Sequence, residues 1–305
     1  MTRKAISLLV LVVACCLAGC ASLAKSVAHA SSSRATATAP LRTVSLMSGG
    51  HLRTYLLYVP PGDSKKHPLT LVLVYHGVDD TAIKASTETN LLSRDEQQHN
   101  MILAFLQGYD ETWNEGAGDT PAHAAGINDV AFTSAVLGEI ESRYAVNLRR
   151  VVATGLSNGA LLTELLGCRL ADNLTLIVPI EGQLPVTVSG SCRPSAPISV
   201  YEVHGTDDQT IPYGGGHFNG VGGGTTVLSA PASVARWAAL DHCSKRAPTT
   251  RSGDYVLTGF TGCRQRVTAT LNSVQGGQHV WPTDFAQTLL DVTTALPATR
   301  VAVKP

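Results

Sequence analysis

The segment Arg150-Val151-Val152-Ala153-Thr154-Gly155-Leu156-Ser157-Asn158-Gly159-Ala160-Leu161-Leu162 carries the residue types for nucleophilic chemistry. A β-branched run leads into G-x-S-x-G, which leads into an apolar helical run. A strand that turns this sharply into a helix strains the turn residue and lifts its side chain clear of the sheet. Gly155 and Gly159 have no Cβ, so strand and helix can close up around Ser157. The hydroxyl then stands at a helix N-terminus, where developing negative charge is favoured. A serine used in this way needs a base, and the base needs an orienting carboxylate.

Both are available downstream. Residues 198–203 read as a buried strand that runs into His204-Gly205-Thr206-Asp207-Asp208, followed by Ile211-Pro212-Tyr213. A carboxylate in the loop after a strand is well placed to orient a base. Two adjacent ones cannot both face it, because successive side chains in extended chain point opposite ways. Gly276-Gly277-Gln278-His279-Val280-Trp281-Pro282 sets a histidine in a glycine-rich loop ahead of a helix. Its small neighbours leave room for the imidazole to reach over Ser157.

These blocks resemble the signatures of one family. Gly155-Leu156-Ser157-Asn158-Gly159, His204-Gly205-Thr206-Asp207-Asp208 with Ile211-Pro212-Tyr213, and Gly277-Gln278-His279-Val280-Trp281-Pro282 are similar to three blocks of the polyhydroxybutyrate depolymerase and feruloyl esterase family of secreted carboxylesterases. Leu71-Val72-Leu73-Val74-Tyr75-His76-Gly77 resembles that family's strand ending in His-Gly beside the oxyanion hole. Thr112-Trp113-Asn114 resembles its Trp-Asn element near the substrate cleft. The resemblance implies an α/β-hydrolase fold acting on ester substrates without a cofactor. It implies Ser157 as nucleophile, His279 as base and Asp208 as acid, since the family's His-Gly-Thr-x-Asp places its Asp on Asp208. Asp207 then falls on the variable position. The N–H groups of Asn158 and Val78 would form the oxyanion hole. His76 precedes the nucleophile, whereas the base of this fold follows it, so His76 is read as shaping its loop. Trp113, with Asn114 beside it, and Trp281 either line the acyl or alcohol site or pack against the loops that carry them. The chain departs from the pattern at Val78-Asp79-Asp80, where small residues usually follow His-Gly, and at Ala160, where glycine is common. The same triad could also serve acyl transfer or peptide cleavage, or survive in an inactive binding protein.

The elements that must position these residues are legible as a pattern. Residues 54–59, 69–75, 101–105, 150–154, 176–180 and 198–203 read as strands. Over 129–144, Phe132, Val136 and Ile140 recur at i+4 with Leu137 and Tyr144 beside them, which predicts an amphipathic helix. Strands alternating with helical segments predict a mostly parallel central sheet with helices on both faces. Gly214-Gly215-Gly216 and Gly222-Gly223-Gly224 flank a loop that either borders the cleft or is a flexible excursion.

Length and composition bound the rest. The 305 residues suit one α/β domain, expected over 41–305. Lys plus Arg and Asp plus Glu both number 23, and aromatic residues make up 5%. That balance excludes nucleic acid or an anionic surface as the main partner, and it offers no stacking platform for single strands. Arg3 and Lys4 precede a short apolar stretch that ends in Leu17-Ala18-Gly19-Cys20. This reads as a lipoprotein signal over 1–19, with lipid carried on the Cys20 thiol. Residues 20–40, rich in Ala, Ser and Thr, read as a flexible tether. The protein is therefore expected in the bacterial cell envelope, membrane-anchored through the lipid. Cys168, Cys192, Cys243 and Cys263 remain and allow three connectivities. Pairing sequence neighbours gives Cys168–Cys192 and Cys243–Cys263, the pairing the resemblance favours; four free thiols are the alternative. No Cys/His spacing suggests a zinc site.

Overall fold

The computed structural model describes residues 40–296, apart from 62–66, 99, 119 and 221–223. The signal, Cys20 and nearly all of the tether lie outside the described residues. The first seven strands are β1 (Arg42–Ser48), β2 (His51–Tyr58), β3 (Leu69–Tyr75), β4 (Met101–Leu106), β5 (Val146–Leu156), β6 (Leu176–Ile180) and β7 (Ser199–Gly205). A small hairpin follows, β8 (Gly216–Phe218) and β9 (Thr225–Val227). The last strands are β10 (Lys245–Arg246), β11 (Thr250–Ser252), β12 (Tyr255–Thr261) and β13 (Ala269–Val274). The helices are α1 (Ala82–Glu88), α2 (Leu91–Gln98), α3 (Pro121–Ala124), α4 (Asp129–Arg143), α5 (Asn158–Arg169), α6 (Val186–Ser191), α7 (Ala230–Leu240) and α8 (Phe285–Thr294).

All strands except the β8–β9 hairpin join one 11-stranded sheet, in the order β1-β2-β4-β3-β5-β6-β7-β13-β12-β10, with β11 paired to β12. The six central strands, from β4 to β13, run parallel. The flanks are antiparallel. Side chains of a strand alternate between the two faces, and here both faces are covered. Leu71, Leu73, Tyr75, Val151 and Ala153 pack with Phe132 and Val136 of α4, Leu162 and Leu166 of α5, and Trp237 of α7. Val72, Val74 and Val152 pack with Ala85 of α1, Leu91 of α2, and Phe285 and Leu289 of α8. Burial on both sides explains why β3 and β4 read as unbroken apolar runs.

Helix α4 begins where Asn128 accepts a hydrogen bond from Ala131 N–H and buries Phe132, Val136, Leu137 and Ile140. The sequence pattern marks none of β1, β8, β9, β10, β11, β12 and β13, the last of which is buried but carries Asn272 and Ser273. These strands carry exposed or polar residues whose alternation is weak. Two disulfides close the chain locally. Cys168–Cys192 joins the end of α5 to the residue after α6, across a separation of 24. Cys243–Cys263 spans 20. Replacing both Cys168 and Cys192 by Ala is expected to lower the unfolding free energy by roughly 3 kcal/mol, because the unfolded chain regains loop entropy. Denaturant titration under non-reducing conditions checks this; an unchanged midpoint would show that the bridge adds nothing.

Candidate active site

Four loops converge at the C-terminal ends of the parallel strands, the edge at which open α/β sheets bind ligands. They follow β3, β5, β7 and β13. After β5 the chain turns through Ser157 into α5. A Cβ placed on Gly155 would sit 2.4 Å from the Gly159 carbonyl oxygen, and one on Gly159 would sit 2.4 Å from that of Tyr75. The backbone therefore passes through a gap that only glycine fits. Ser157 takes up the remaining strain, with φ 58° and ψ −122°. Such a conformation costs about 1–3 kcal/mol and persists only where its surroundings enforce it. Here Ser157 N–H is held by Ile180 O at 3.0 Å, and Ser157 O accepts from Ala160 and Leu161.

After β7 the two adjacent aspartates separate: Asp207 is exposed and Asp208 is buried. Asp208 Oδ1 accepts from the N–H groups of Thr210 (2.7 Å) and Ile211 (3.0 Å). Its Oδ2 lies 2.7 Å from His279 Nδ1. Burial pushes this carboxyl up. The side chains of His204 and His279, the positive charge of His279 and the Thr210 N–H outweigh burial and hold it well below the ordinary carboxylate range. An ionised Asp208 can only accept, so His279 carries its proton on Nδ1 and has a lone pair on Nε2. The Asp208 and His279 loops are tied together: Thr206 N–H donates to Val274 O (2.9 Å) and Asp207 N–H to Gly277 O (3.1 Å).

Ser157 and His279 line one open groove of about 500 Å³, together with Gly77, Val78, Lys84 and Trp281. On its other side Ser157 faces a narrow, mainly apolar cavity of about 60 Å³ walled by Val78, Glu115, Leu161, Ile211 and Phe218. Val78 borders both spaces. Asn158 opens α5, so its N–H is among the first four of a helix, which have no intrahelical acceptor. The glycine-flanked loop borders the narrow cavity, through Phe218 of β8 and Gly224.

Two expected cleft contacts are corrected. Trp113 is fully buried. Its Nε1–H donates to His76 O (2.9 Å) and its ring stands edge-on to Tyr75. It packs the loop that carries it and does not line either space beside Ser157. Asn114 donates from Nδ2 to Ile127 O (2.7 Å) and borders a separate depression with Gly126, Asn128 and Arg169. Trp281 does border the groove and packs against Phe285. The Asn158 side chain has a role the sequence did not suggest: Oδ1 accepts from Trp113 N–H (2.7 Å), and Nδ2 reaches Trp113 O and Glu115. His76 is buried beside this loop, accepting Gly108 N–H on Nε2 (2.9 Å) and so donating from Nδ1 to Gly77 O (2.7 Å). Burial first lowers its pKa.

Behind Asp208 lies a set of buried acids that sequence reasoning missed. Glu181, His204 and Asp208 bring one polar atom each within 4.8 Å of one another. His204 Nε2 faces the Ile211 carbonyl at 2.9 Å and must be protonated there. It presents a donor, not a metal-binding lone pair. Glu164 accepts Trp237 Nε1–H (2.6 Å) and Ser233 Oγ–H (3.3 Å). Neither oxygen of Glu202 makes a hydrogen bond. Burial raises Glu164 to about 8 and Glu181 to about 9. Burial and then the charges of Glu164 and Glu181 push Glu202 well up. The available signal was a glutamate inside an otherwise apolar strand, Val200-Tyr201-Glu202-Val203.

A central parallel sheet, a serine at a strand-to-helix turn, and an aspartate and histidine on loops after later strands define the α/β-hydrolase fold. No family model matches the chain. Feruloyl esterase B of Piromyces equi is 26% identical over 234 residues, 74% of this chain and 42% of that protein. Feruloyl esterase C of Emericella nidulans is 26% identical over 223 residues, 70% of this chain and 73% of that protein. The chain spans about half the length, or less, of the curated relatives named feruloyl esterase B, a putative esterase and a bifunctional acetylxylan esterase/xylanase. Among solved structures, an acetyl xylan esterase from Aspergillus awamori superposes with TM-score 0.59 at 13% identity, over 82% of this chain and 98% of that one. A ferulic acid esterase of the anaerobic fungus Anaeromyces mucronatus gives 0.51 at 15% identity, over 84% and 90%. The chain is thus similar in sequence to feruloyl esterases and to other esterases.

The buried acids set a pH dependence of stability. Unfolded, each glutamate loses its proton near its ordinary value of 4.5; folded, burial makes Glu164 keep it to about 8 and Glu181 to about 9. Between those limits the unfolded state binds fewer protons, so stability falls as pH rises. Glu202→Gln removes one proton requirement and is expected to flatten that fall. Melting temperatures between about pH 5 and pH 9 test it; an unchanged slope would show that Glu202 is not held protonated.

Proposed function

We propose that the chain is an exported serine carboxylesterase that works through an acyl-enzyme on Ser157. The observation that carries this is the 2.7 Å contact between His279 Nδ1 and Asp208 Oδ2, in a groove that His279 shares with the strained Ser157. With Nδ1–H held by Asp208, His279 Nε2 takes the Ser157 proton as the hydroxyl attacks an ester carbonyl. The tetrahedral oxyanion is held by the N–H groups of Asn158 and Val78, each such donor being worth about 3 kcal/mol of barrier. His279 then gives its proton to the leaving alcohol, and water releases the acid by the same steps. The groove on the His279 side takes the alcohol portion and the narrow cavity takes the acyl portion. The relatives' names point to carbohydrate-linked feruloyl or acetyl esters; the motif resemblance adds hydroxyalkanoate esters.

Anchoring is the second part of the proposal and rests on Leu17-Ala18-Gly19-Cys20. A thiol after small residues is the acceptor for lipid, and that lipid would hold the domain at the membrane. Cys20→Ala is expected to move the protein out of the detergent phase in phase separation; unchanged partitioning would remove the anchor.

Ser157→Ala is expected to abolish turnover of p-nitrophenyl esters and to leave melting nearly unchanged. Asp208→Asn should lower turnover by roughly 10⁴, because the amide holds the wrong imidazole tautomer. Asp207→Asn should stay close to the parent. Retained turnover by Ser157→Ala, or the reverse ranking of the two aspartates, would overturn the assignment.

A further inference from the structure

We infer that Glu181 and His204 are positioning residues for the Asp208–His279 pair, with Glu181 acting as a neutral carboxyl that hydrogen-bonds to ionised Asp208. The inference rests on the serine-esterase reading above and adds to it two residues from behind the site.

The geometry begins at the end of β6. Glu181 has φ 50°, a left-handed conformation that a glutamate adopts only under constraint. Its N–H is held by Val203 O at 2.9 Å. Gly182 beside it is backed against the nucleophile turn: a Cβ there would lie 2.8 Å from Ala160 Cβ and 2.9 Å from Ser157 O. The segment cannot relax, and it aims the Glu181 side chain at the end of β7. There Oε2 accepts Gly205 N–H at 2.8 Å and lies 3.7 Å from His204 Nε2. Glu181, His204 and Asp208 are 2%, 0% and 4% exposed.

Two carboxyls that meet in a dry pocket cannot both be charged, so one proton stays between them. Asp208 is the better anion. It accepts two backbone N–H groups and His279 Nδ1–H, and the N–H edge of His204 lies 3.4 Å from its Oδ2. Glu181 has Gly205 N–H alone among backbone donors in this contact. The proton therefore belongs to Glu181, whose carboxyl brings an oxygen within 4.8 Å of one of Asp208. Burial first, and then the charge of Asp208, raise Glu181 to about 9, in line with that assignment. The titratable groups facing Glu181 are Asp208 and His204 at the end of β7 and Glu202 within it. Glu164 of α5 lies one step further, through Glu202. His204 Nδ1 is 4.0 Å from Glu202 Oε1, and its Nε2–H is directed at Ile211 O.

The consequence is a tuned base. A second anion beside Asp208 would bind the imidazolium of His279 too well and keep the base protonated at neutral pH. A neutral donor draws charge from Asp208 and leaves His279 free to accept the Ser157 proton. Loss of the His204 N–H edge would act the other way and raise the affinity of His279 for its proton.

The test is the pH profile of kcat/KM for a p-nitrophenyl ester, with melting temperatures alongside. Glu181→Gln keeps a neutral donor and is expected to stay within about threefold of the parent at neutral pH, with the acid limb in place. The parent's decline above about pH 9 should vanish, since an amide does not ionise. Glu181→Leu should lose more than about tenfold in kcat with KM little changed. His204→Leu should move the acid limb to higher pH, and His204→Gln should restore it. An acid limb that drops by about one unit or more in Glu181→Gln would show an ionised Glu181 and overturn the inference. So would a His204→Leu profile that changes in height but not in position. Infrared difference spectra read the proton without catalysis: in the Ser157→Ala background, a protonated-carboxyl C=O band at neutral pH should disappear on Glu181→Gln. Its absence beforehand would refute the neutral carboxyl even if the variants misfold. Turnover retained by Ser157→Ala would refute the esterase reading instead.

Discussion

Between β5 and α5 there is no space for a carbon atom, and the arrangement of the site depends on that fact. Gly155 touches the backbone of Gly159, and Gly159 touches the carbonyls of Tyr75 and His76. Strand β3, the nucleophile turn and helix α5 are thereby fixed as one body. Ser157 is left with the positive φ that lifts its hydroxyl towards the groove. Asn158, the next residue, reaches back with its side chain and holds both backbone groups of Trp113. Trp113 in turn holds the His76 carbonyl. A contact that looks local therefore sets the loop after β3, where Val78 stands beside the serine, and the loop that carries Glu115 into the narrow cavity.

The second constraint is electrostatic and works against the first. The packed core that fixes the turn also encloses Glu164, Glu181 and Glu202, which a purely apolar design would exclude. Each must keep a proton to stay inside. Burying a carboxyl such as Glu202, whose Oε1 lies 4.0 Å from His204 Nδ1, costs stability above its ordinary pKa. Asp208 escapes this because four donors surround it, and it is the one acid of the group held below its ordinary range. The contrast has a structural origin: Asp208 sits in a loop whose backbone N–H groups are free to turn towards it, whereas Glu202 lies within a strand whose N–H groups belong to the sheet.

How far the sequence reveals this follows from the range of each interaction. Ser157 and its glycines are legible because the elbow is a local motif, and the strands β3 and β6 are legible because burial on both faces leaves uninterrupted apolar runs. The choice between Asp207 and Asp208 is carried by the resemblance, because extended alternation says only that the two must diverge. Trp113 was not decidable: whether an indole faces a cleft or a carbonyl depends on Asn158, 45 positions away. Glu181 and Glu202 look like strand-end and strand polar residues until β6, β7 and α5 are brought together. The antiparallel strands β10 to β12 are short or half-exposed, and their pairing is set by the sheet edge that β13 offers rather than by their own pattern.

The two spaces beside Ser157 follow from the order of strands. His279 arrives on the loop after β13, which lies beside β7, so the base approaches the serine from one side only. That side is the groove of about 500 Å³ that Ser157 shares with His279 and Trp281. The other side is closed by the β8–β9 hairpin, inserted between the Asp208 loop and α7, with Phe218 facing Leu161 and Ile211. The hairpin strands pair with each other and not with the main sheet; they meet the body at the Pro185↔Val227 bridge and through Phe218 and Val227 against Leu161 and Ile211. Phe218 of the hairpin borders the narrow cavity alone, whereas Ser157, and Thr210 of the Asp208 loop, border both spaces, so the hairpin shapes one of them and the loops after the parallel strands shape both.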